Sequence, residues 1–175
     1  FSAGDGVGAS GHKFSSGSFA EGRIAAKNMV RFVGDHKSYK PEFKQDLKVI
    51  VEEIYRPVRN YHEHKDKTTA EDVNPFYILP KMFQMRLQKA MDEYVAGVST
   101  FYQTNGMMLK QGLHLLNMLK EDSVHMRAKD LHELLRAWEN YHRLRTAEVH
   151  LRHIMFREET RYPGFFYRAD FPKLD

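Results

Sequence analysis

The chain opens with the stretch FSAGDGVGASGHKFSSGSFAEGRIAAK, residues 1–27, in which a short apolar end runs into a Gly/Ser loop and then into a helix. Four glycines within eight residues let this loop adopt positive φ and approach a ligand closely: Gly4, Gly6, Gly8 and Gly11. Ser18 and Glu21 have the Ser-x-x-Glu spacing of a capping box, which predicts a helix that begins at Ser18. A helix start behind a glycine loop offers free N–H groups to an electron-rich partner such as a phosphate, a carboxylate or a reduced flavin ring.

The same loop fits the G-x-G-x-x-G pattern of dinucleotide-binding proteins. That fingerprint needs a full strand before the loop, a helix that opens at the third glycine, and a second strand that ends in an acidic residue. Here only a few residues precede the loop, and the segment 30–40 turns basic and polar instead of forming a Val/Ile-rich strand. We therefore do not expect a dinucleotide-binding unit, and a Gly/Ser connector without a ligand stays open as the alternative.

The N-terminal part is predicted to be the last piece of a larger α/β domain. The chain begins on Phe1 in what resembles the tail of a strand, and one strand end cannot form a sheet. We therefore expect residues 1–36 to complete a domain whose remainder lies elsewhere. No signal peptide or targeting segment is recognisable.

The composition is that of a soluble globular protein, with 42% hydrophobic and 29% charged residues. No apolar run approaches the length of a membrane span. The chain has no cysteine, so disulfides and thiolate ligands are excluded and any iron–sulfur cluster must lie on another chain. The absence of cysteine is compatible with the cytoplasm, where we expect the protein.

The net charge of +4 and the pI near 9.2 allow three interpretations. They indicate a solvated basic surface, an anionic substrate such as a nucleotide or a sulfur oxyanion, or an acidic partner protein. Nucleic acid is not expected as a partner, because the basic residues are mixed with acidic ones and form no stripe.

Beyond Gly34, apolar residues recur at helical spacing and predict a helical bundle over residues 37–159. Pro41 suits the first turn of a helix, and Pro57 is expected to end or kink that helix. Residues 62–72 are charged and without periodicity, which is typical of a surface loop.

Three longer helices complete the predicted bundle, at 81–102, from about Met108 to Lys120, and at 128–158. The last helix is expected to direct inward Leu131, Leu134, Leu135, Trp138, Leu151 and Met155. Residues 160–175 are predicted to form an extended tail. The expected fold class is therefore mostly α: the end of an α/β domain followed by a helical bundle.

Histidines are the obvious candidate metal ligands in the bundle. Glu139 and His142 form an E-x-x-H pair, and His150 and His153 form an H-x-x-H pair. A di-iron carboxylate site needs two E-x-x-H motifs and two further inward glutamates. The surrounding sequence instead supplies cations that repel a metal: Arg143, Arg145, Arg152 and Arg157. We therefore interpret these residues as a charged helix face with i,i+3 and i,i+4 pairs and expect no metal site.

Several short motifs carry a family resemblance: Ala3-Gly4-Asp5, Gly17-Ser18-Phe19, Gly22-Arg23-Ile24-Ala25, Arg157-Glu-Glu-Thr-Arg161 and Arg168-Ala-Asp-Phe-Pro172. They resemble the flavoprotein subunits of the fumarate reductase and succinate dehydrogenase superfamily. There a strand ends in Ala-Gly-Glu before a Gly-rich loop, and a helix then begins at Asn-Ser-Leu. The resemblance implies the end of an FAD-binding domain followed by a C-terminal helical cap.

Longer stretches extend the resemblance over essentially the whole chain, at residues 4–17, 74–86 and 139–142. Within the superfamily they are similar to the family of adenylylsulfate reductase alpha subunits. This resemblance implies a flavoenzyme that interconverts adenylylsulfate with sulfite and AMP. It also implies an iron–sulfur beta subunit that supplies the electrons, and it makes the present chain a C-terminal fragment.

The resemblance also implies roles for individual residues. Asp5 stands where the superfamily has a Glu that binds FAD hydroxyls, and Ser18 and Phe19 stand at the helix start that faces the flavin. Dicarboxylate-using members carry His-Gly-Ala-Asn-Arg before this helix, whereas this chain has Ala9-Ser-Gly-His12-Lys13. Without that Arg, His12 and Lys13 are the catalytic candidates that could meet a sulfur oxyanion, and a structural loop histidine is the alternative for His12.

Two other functional classes stay open at this point. One is a different oxidoreductase of the same superfamily, although the missing Arg counts against fumarate or succinate. The other is a non-enzymatic helical interaction module with a ligand-free glycine loop.

Overall fold

A computed structural model of the chain describes residues 1, 3, 15–66, 78–161 and 166–173. The chain divides into two compact units, Phe1–Asp46 and Leu47–Asp175, and each is described separately. Most of the described residues lie in helices, so the predicted mostly α fold class is confirmed. The functional domain limits given above, 1–36, 37–159 and 160–175, stay predictions.

The first unit is built around one helix, α1 (Ser15–Asp35). It begins three residues before Ser18, so the capping box predicted from Ser18 and Glu21 is wrong. Ser18 is the fourth helical residue and cannot cap the helix. Once a helix is nucleated, each added residue gains a backbone hydrogen bond, which favours extension into the preceding small residues 15–17.

Residues 36–46 follow α1 without a further regular helix, so the prediction that Pro41 starts a helix is wrong. Phe43, two residues after Pro41, is 73% exposed. A helical turn at this point would bury little apolar surface and would gain little stability from packing.

The second unit contains, in chain order, α2 (Leu47–Ile54), α3 (Arg56–His64), α4 (Pro80–Tyr94), β1 (Gln103–Thr104), α5 (Gly106–Ser123), α6 (Leu131–Arg157) and β2 (Tyr167–Arg168). Pro57 lies in the first turn of α3, and the break at Tyr55 therefore falls close to the predicted position. Residues 62–64 are helical, which corrects the start of the predicted loop, while 67–72 lie outside the described residues.

α4 ends at Tyr94, well before the predicted end at Tyr102. The backbone turns because left-handed φ values of 59°, 52° and 61° occur at Ala96, Phe101 and Tyr102. Gly97 lies so close to Asp92 that any side chain at position 97 would overlap the Asp92 backbone. This close turn brings the chain back toward the bundle and starts β1.

α4, α5 and α6 pack against one another around the hydrophobic core. The core includes Phe83, Leu87, Leu109, Leu116, Leu151 and Ile154. Gly112 allows the close approach of α5 to its neighbours, because a Cβ at this position would lie 3.1 Å from atoms of both Leu151 and Tyr94. The core therefore depends on a small residue as well as on large apolar ones.

The inward face of α6 differs in part from the prediction. Its buried residues recur every three or four positions, at Ala137, Asn140, Leu144, Ala147, Leu151 and Ile154. Leu131 and Leu135 fall outside this phase and are 71% and 53% exposed, so their predicted inward placement is wrong. The helix buries Ala137, Asn140 and Ala147, small or polar residues that the prediction, based on large apolar residues, did not select.

Both long C-terminal helices begin at capping residues. Asn105 Oδ1 accepts a hydrogen bond of 3.0 Å from Met108 N at the start of α5. Asp130 Oδ1 accepts one of 2.8 Å from Glu133 N at the start of α6, and Glu133 Oε2 accepts one of 3.0 Å from Lys129 N. These side chains fix where the helices start.

The described part of the tail adds a strand to the bundle. β2 pairs with β1 in parallel, with Tyr167 opposite Gln103 and Arg168 opposite Thr104. No helix among the described residues is long and apolar enough to span a bilayer.

Candidate functional site

Two of the five predicted site residues belong to the described part of the chain. Ser18 and Phe19 lie in the first turns of α1, whereas Asp5, His12 and Lys13 lie outside the described residues. The roles assigned to all five from the sequence therefore stay predictions.

The start of α1 is the candidate binding feature of the first unit. The first turn of a helix carries N–H groups without intrahelical partners, and in α1 this turn begins at Ser15 instead of Ser18. A Cβ built at Gly17 would meet no atom within 4 Å, so space beside the turn is open among the described residues. The turn also supplies serine hydroxyls, and it can therefore hydrogen-bond an electron-rich group.

α1 also carries an apolar band that the described residues leave uncovered. Phe19, Val30 and Val33 lie on one face of the helix and are 81%, 75% and 66% exposed. Gly22 shares this face, and a Cβ there would meet no atom of the described segments within 4 Å. An apolar band of this size favours packing against further protein.

The Glu139–His142 motif forms ion pairs within α6. The Glu139 carboxylate lies 2.8 Å from Arg136 and 3.1 Å from Arg143. A hydrogen bond from Arg136, with further help from Arg143, lowers the pKa of Glu139. The carboxylate is therefore engaged by two guanidinium groups, as expected for a charged helix face.

The second histidine pair lies further along α6. A ring nitrogen of His153, Nδ1, lies 2.8 Å from the carbonyl oxygen of Val149. Partial burial of the His150 ring lowers the pKa of His150, and the neighbouring His153 lowers this pKa further. The part of the chain that the structure describes contains no cluster of three or more potential metal ligands.

Arg168 and Asp170 form what we call the tail clip. The Arg168 side chain is 4% exposed, and its Nη1 donates a 2.8 Å hydrogen bond to the carbonyl of Ile154 in the last turn of α6. Its Nε and Nη2 donate 2.8 Å bonds to the two carboxylate oxygens of Asp170. Asp170 Oδ2 in turn accepts a 2.8 Å bond from Gly106 N, at the first residue of α5. The clip therefore joins the end of one core helix to the start of another.

Strong hydrogen bonding stabilises the charged form of the clip. The Arg168 guanidinium, assisted by the N–H of Gly106, lowers the pKa of Asp170 to about 2. The sequence marked Arg168-Ala-Asp-Phe-Pro172 only as a family motif. The Arg-x-Asp spacing is typical of an ion pair between Arg168 and Asp170. The hydrogen bonds to Gly106 and Ile154 could not be predicted from the sequence, because these two residues are distant along the chain.

Comparison with known proteins gives one clear assignment. No protein-family model matches the chain. The chain is 59% identical over 171 residues to the adenylylsulfate reductase subunit alpha of Megalodesulfovibrio gigas. The matched stretch covers 98% of the chain and 26% of that relative. The chain thus spans about a quarter of the length of the curated relative.

Two solved structures are similar to the chain as well. The adenylylsulfate reductase of the hyperthermophile Archaeoglobus fulgidus is 54% identical with a TM-score of 0.74, over 94% of this chain and 26% of that one. An adenosine-5-phosphosulfate reductase in complex with sulfite, as a covalent adduct, matches with the same identity, coverage and TM-score. The chain is therefore homologous to a segment of the adenylylsulfate reductase alpha subunit.

Proposed function

We propose that the chain is part of the FAD-containing catalytic subunit of an adenylylsulfate reductase, which interconverts adenylylsulfate with sulfite and AMP by two-electron transfer. The observation that carries this proposal is the 59% identity over 98% of the chain to the Megalodesulfovibrio gigas alpha subunit. The similar structure that contains a covalent sulfite adduct supports sulfite as a reactant. Because the chain spans about a quarter of these proteins, the activity would belong to a longer polypeptide.

We assign the FAD site to the start of α1. The first turn of this helix offers N–H and hydroxyl donors, and no atom of the described residues lies within 4 Å of a Cβ built at Gly17. Such donors suit the edge of a flavin ring on which negative charge gathers when the ring is reduced. Ser18 and Phe19 would border the ring, and Asp5 would accept hydrogen bonds from FAD hydroxyls. When bound, FAD would carry the two electrons to or from the sulfur group.

His12 and Lys13 would act on the sulfur oxyanion. Both precede α1 by a few residues, so the same loop that leads to the helix start would hold them. An imidazole can hydrogen-bond an oxyanion and supply a proton near neutral pH. Lysine offers a positive charge but keeps its proton near pH 7, so Lys13 would serve binding more than proton transfer.

An iron–sulfur beta subunit would exchange electrons with this subunit. The Megalodesulfovibrio gigas relative is named as an alpha subunit. The present chain has no cysteine, so these residues cannot hold an iron–sulfur cluster through thiolates, and we assign the clusters to the partner. We place the assembled enzyme in the cytoplasm.

The test uses the full-length subunit purified with its partner. We expect a flavin absorbance spectrum, and reduction of an artificial electron acceptor that requires both sulfite and AMP. Succinate in place of sulfite and AMP is the matched control and should give no turnover. Turnover with succinate would place the protein elsewhere in the superfamily, and a preparation without flavin would favour a helical interaction module.

A further inference from the structure

A small cavity in the second unit lies between α3, α5 and α6 and has no part in the proposed reaction. It has a volume of about 100 Å³ and is partly open to solvent, and three cationic side chains from three separate helices line it, namely Arg56, Lys120 and Arg145. Glu53, Ser123 and Tyr141 are further lining residues. Three cations around one small cavity favour an anion between them, because like charges repel and opposite charges attract.

Two of these cations have carboxylate partners. Lys120 Nζ forms an ion pair with Glu148, and Arg145 forms one with Glu53. Among the described residues, no carboxylate lies within 4 Å of Arg56. Three cations against two carboxylates leave one positive charge, and that charge is on Arg56.

Helix capping does not account for Arg56. The carbonyl groups at the end of α5 already have other donors: Ser123 Oγ donates to Lys120 O at 2.7 Å, Tyr141 Oη to Ser123 O at 2.7 Å, and Arg127 Nη1 to Val124 O at 2.8 Å. Asn60 Nδ2 also donates to Val124 O, at 3.3 Å. Arg56 is therefore not required to satisfy the end of this helix.

Arg56 and Tyr141 line the cavity together. The Tyr141 hydroxyl is occupied, because it donates a 2.7 Å hydrogen bond to Ser123 O. A guanidinium has five N–H donors, and its planar group can donate two parallel hydrogen bonds to one oxyanion.

We propose that this cavity binds a small tetrahedral oxyanion, such as sulfate, phosphate or the phosphate group of a nucleotide, through Arg56 with support from Lys120 and Arg145. The cavity of about 100 Å³ has room for a few water molecules, roughly the space that such an ion displaces. The site would be additional to the predicted reaction site at the start of α1, and it does not rest on the proposed function.

The experiment is a calorimetric titration of the full-length subunit with sodium sulfate, sodium phosphate and AMP, each compared with sodium chloride at equal ionic strength. Arg56→Gln removes the unpaired charge and should weaken oxyanion binding at this site by about tenfold or more. Arg59→Gln is the matched control, because Arg59 is exposed on the same helix and donates to Glu52 O at 2.9 Å. Arg59→Gln should bind the oxyanions with the wild-type affinity. Any second oxyanion site that Arg56 does not contact adds the same binding heat in the wild type, Arg56→Gln and Arg59→Gln.

The outcomes separate the sources of the oxyanion and decide the proposal. Loss of sulfate and phosphate binding in Arg56→Gln supports a free inorganic ion, and loss of AMP binding alone supports a nucleotide phosphate. Equal affinities in Arg56→Gln and Arg59→Gln, or equal responses to sulfate and chloride, overturn the proposal. If Arg56→Gln does not fold, Arg145→Gln replaces it, since that side chain is 60% exposed. Unchanged oxyanion affinity in Arg145→Gln would then overturn the proposal.

Discussion

Asp170→Asn should lower the free energy of unfolding of the second unit by about 1–2 kcal/mol at pH 7, because it removes the counter-charge of the buried Arg168. The Asp170 carboxylate accepts three hydrogen bonds of 2.8 Å, two from Arg168 and one from Gly106. They lower the pKa of Asp170 from 3.8 to about 2. A shift of that size corresponds to at most about 2.5 kcal/mol. The Asp170 side chain is 35% exposed, and screening by water reduces the effect to about half of that limit.

The pH dependence of this difference follows from the sign of the pKa shift. The pKa of Asp170 is lower in the folded chain than in the unfolded chain, so its contribution is fully present above the unfolded value near 3.8. The contribution is lost as the pH falls through the folded value of about 2. The free-energy difference between the wild type and Asp170→Asn should therefore be largest at neutral pH and should roughly halve near pH 3.

Urea unfolding of the 175-residue chain, followed by far-UV circular dichroism at pH 7 and pH 3, measures both effects at a protein concentration kept below the onset of aggregation, which light scattering checks. Glu121→Gln is the matched control, because it removes one negative charge from an exposed position on α5. The control should change the free energy of unfolding by less than about 0.5 kcal/mol. The reasoning is refuted if Asp170→Asn behaves like Glu121→Gln at pH 7, or if its destabilisation is the same at both pH values.

Three further predictions address the turn after α4, cofactor binding and substrate affinity. Gly97→Ala should destabilise the chain by about 2–3 kcal/mol, because its Cβ would overlap the Asp92 backbone. Gly22→Ala is the control for Gly97→Ala, because no atom of the described residues lies within 4 Å of the added Cβ, and it should stabilise the chain by up to about 1 kcal/mol in the same urea assay. The chain alone should bind no FAD and should aggregate through the exposed band of α1, and stoichiometric flavin absorbance in the purified chain would contradict this. Lys13→Ala in the full-length subunit should raise KM for sulfite or AMP with little change in kcat, and an unchanged KM would exclude Lys13 from substrate binding.

The bundle could be predicted from the sequence because apolar periodicity reports helices directly. The helix predicted near 108–120 and the one predicted at 128–158 correspond to α5 and α6, with limits shifted by a few residues. Periodicity could not predict the end of α4, which depends on left-handed backbone at Ala96 and on the contact between Gly97 and Asp92. Phe and Tyr at 101 and 102 are residues that rarely adopt positive φ, so the sequence gives no turn signal there.

Contacts between residues distant in sequence were beyond sequence reasoning. The tail clip joins Arg168 to Ile154 and, through Asp170, to Gly106, and only the folded chain brings them together. The cavity beside Arg56 likewise collects side chains from separate helices. The candidate residues near the N-terminus, His12 among them, stand in one short segment and could be selected from the sequence alone, but their roles stay predictions.

His12→Ala in the full-length subunit tests most directly whether this chain contributes to the site where the sulfur oxyanion reacts. A hydrogen-bond or proton donor that acts mainly in the transition state contributes roughly 10²-fold or more to turnover. We therefore expect kcat/KM for sulfite oxidation with AMP to fall by about 10²-fold or more. FAD content and the melting temperature should stay near the wild-type values. Near-normal turnover would contradict this account and make His12 a structural loop residue, and loss of FAD together with activity would make it a cofactor-binding residue instead.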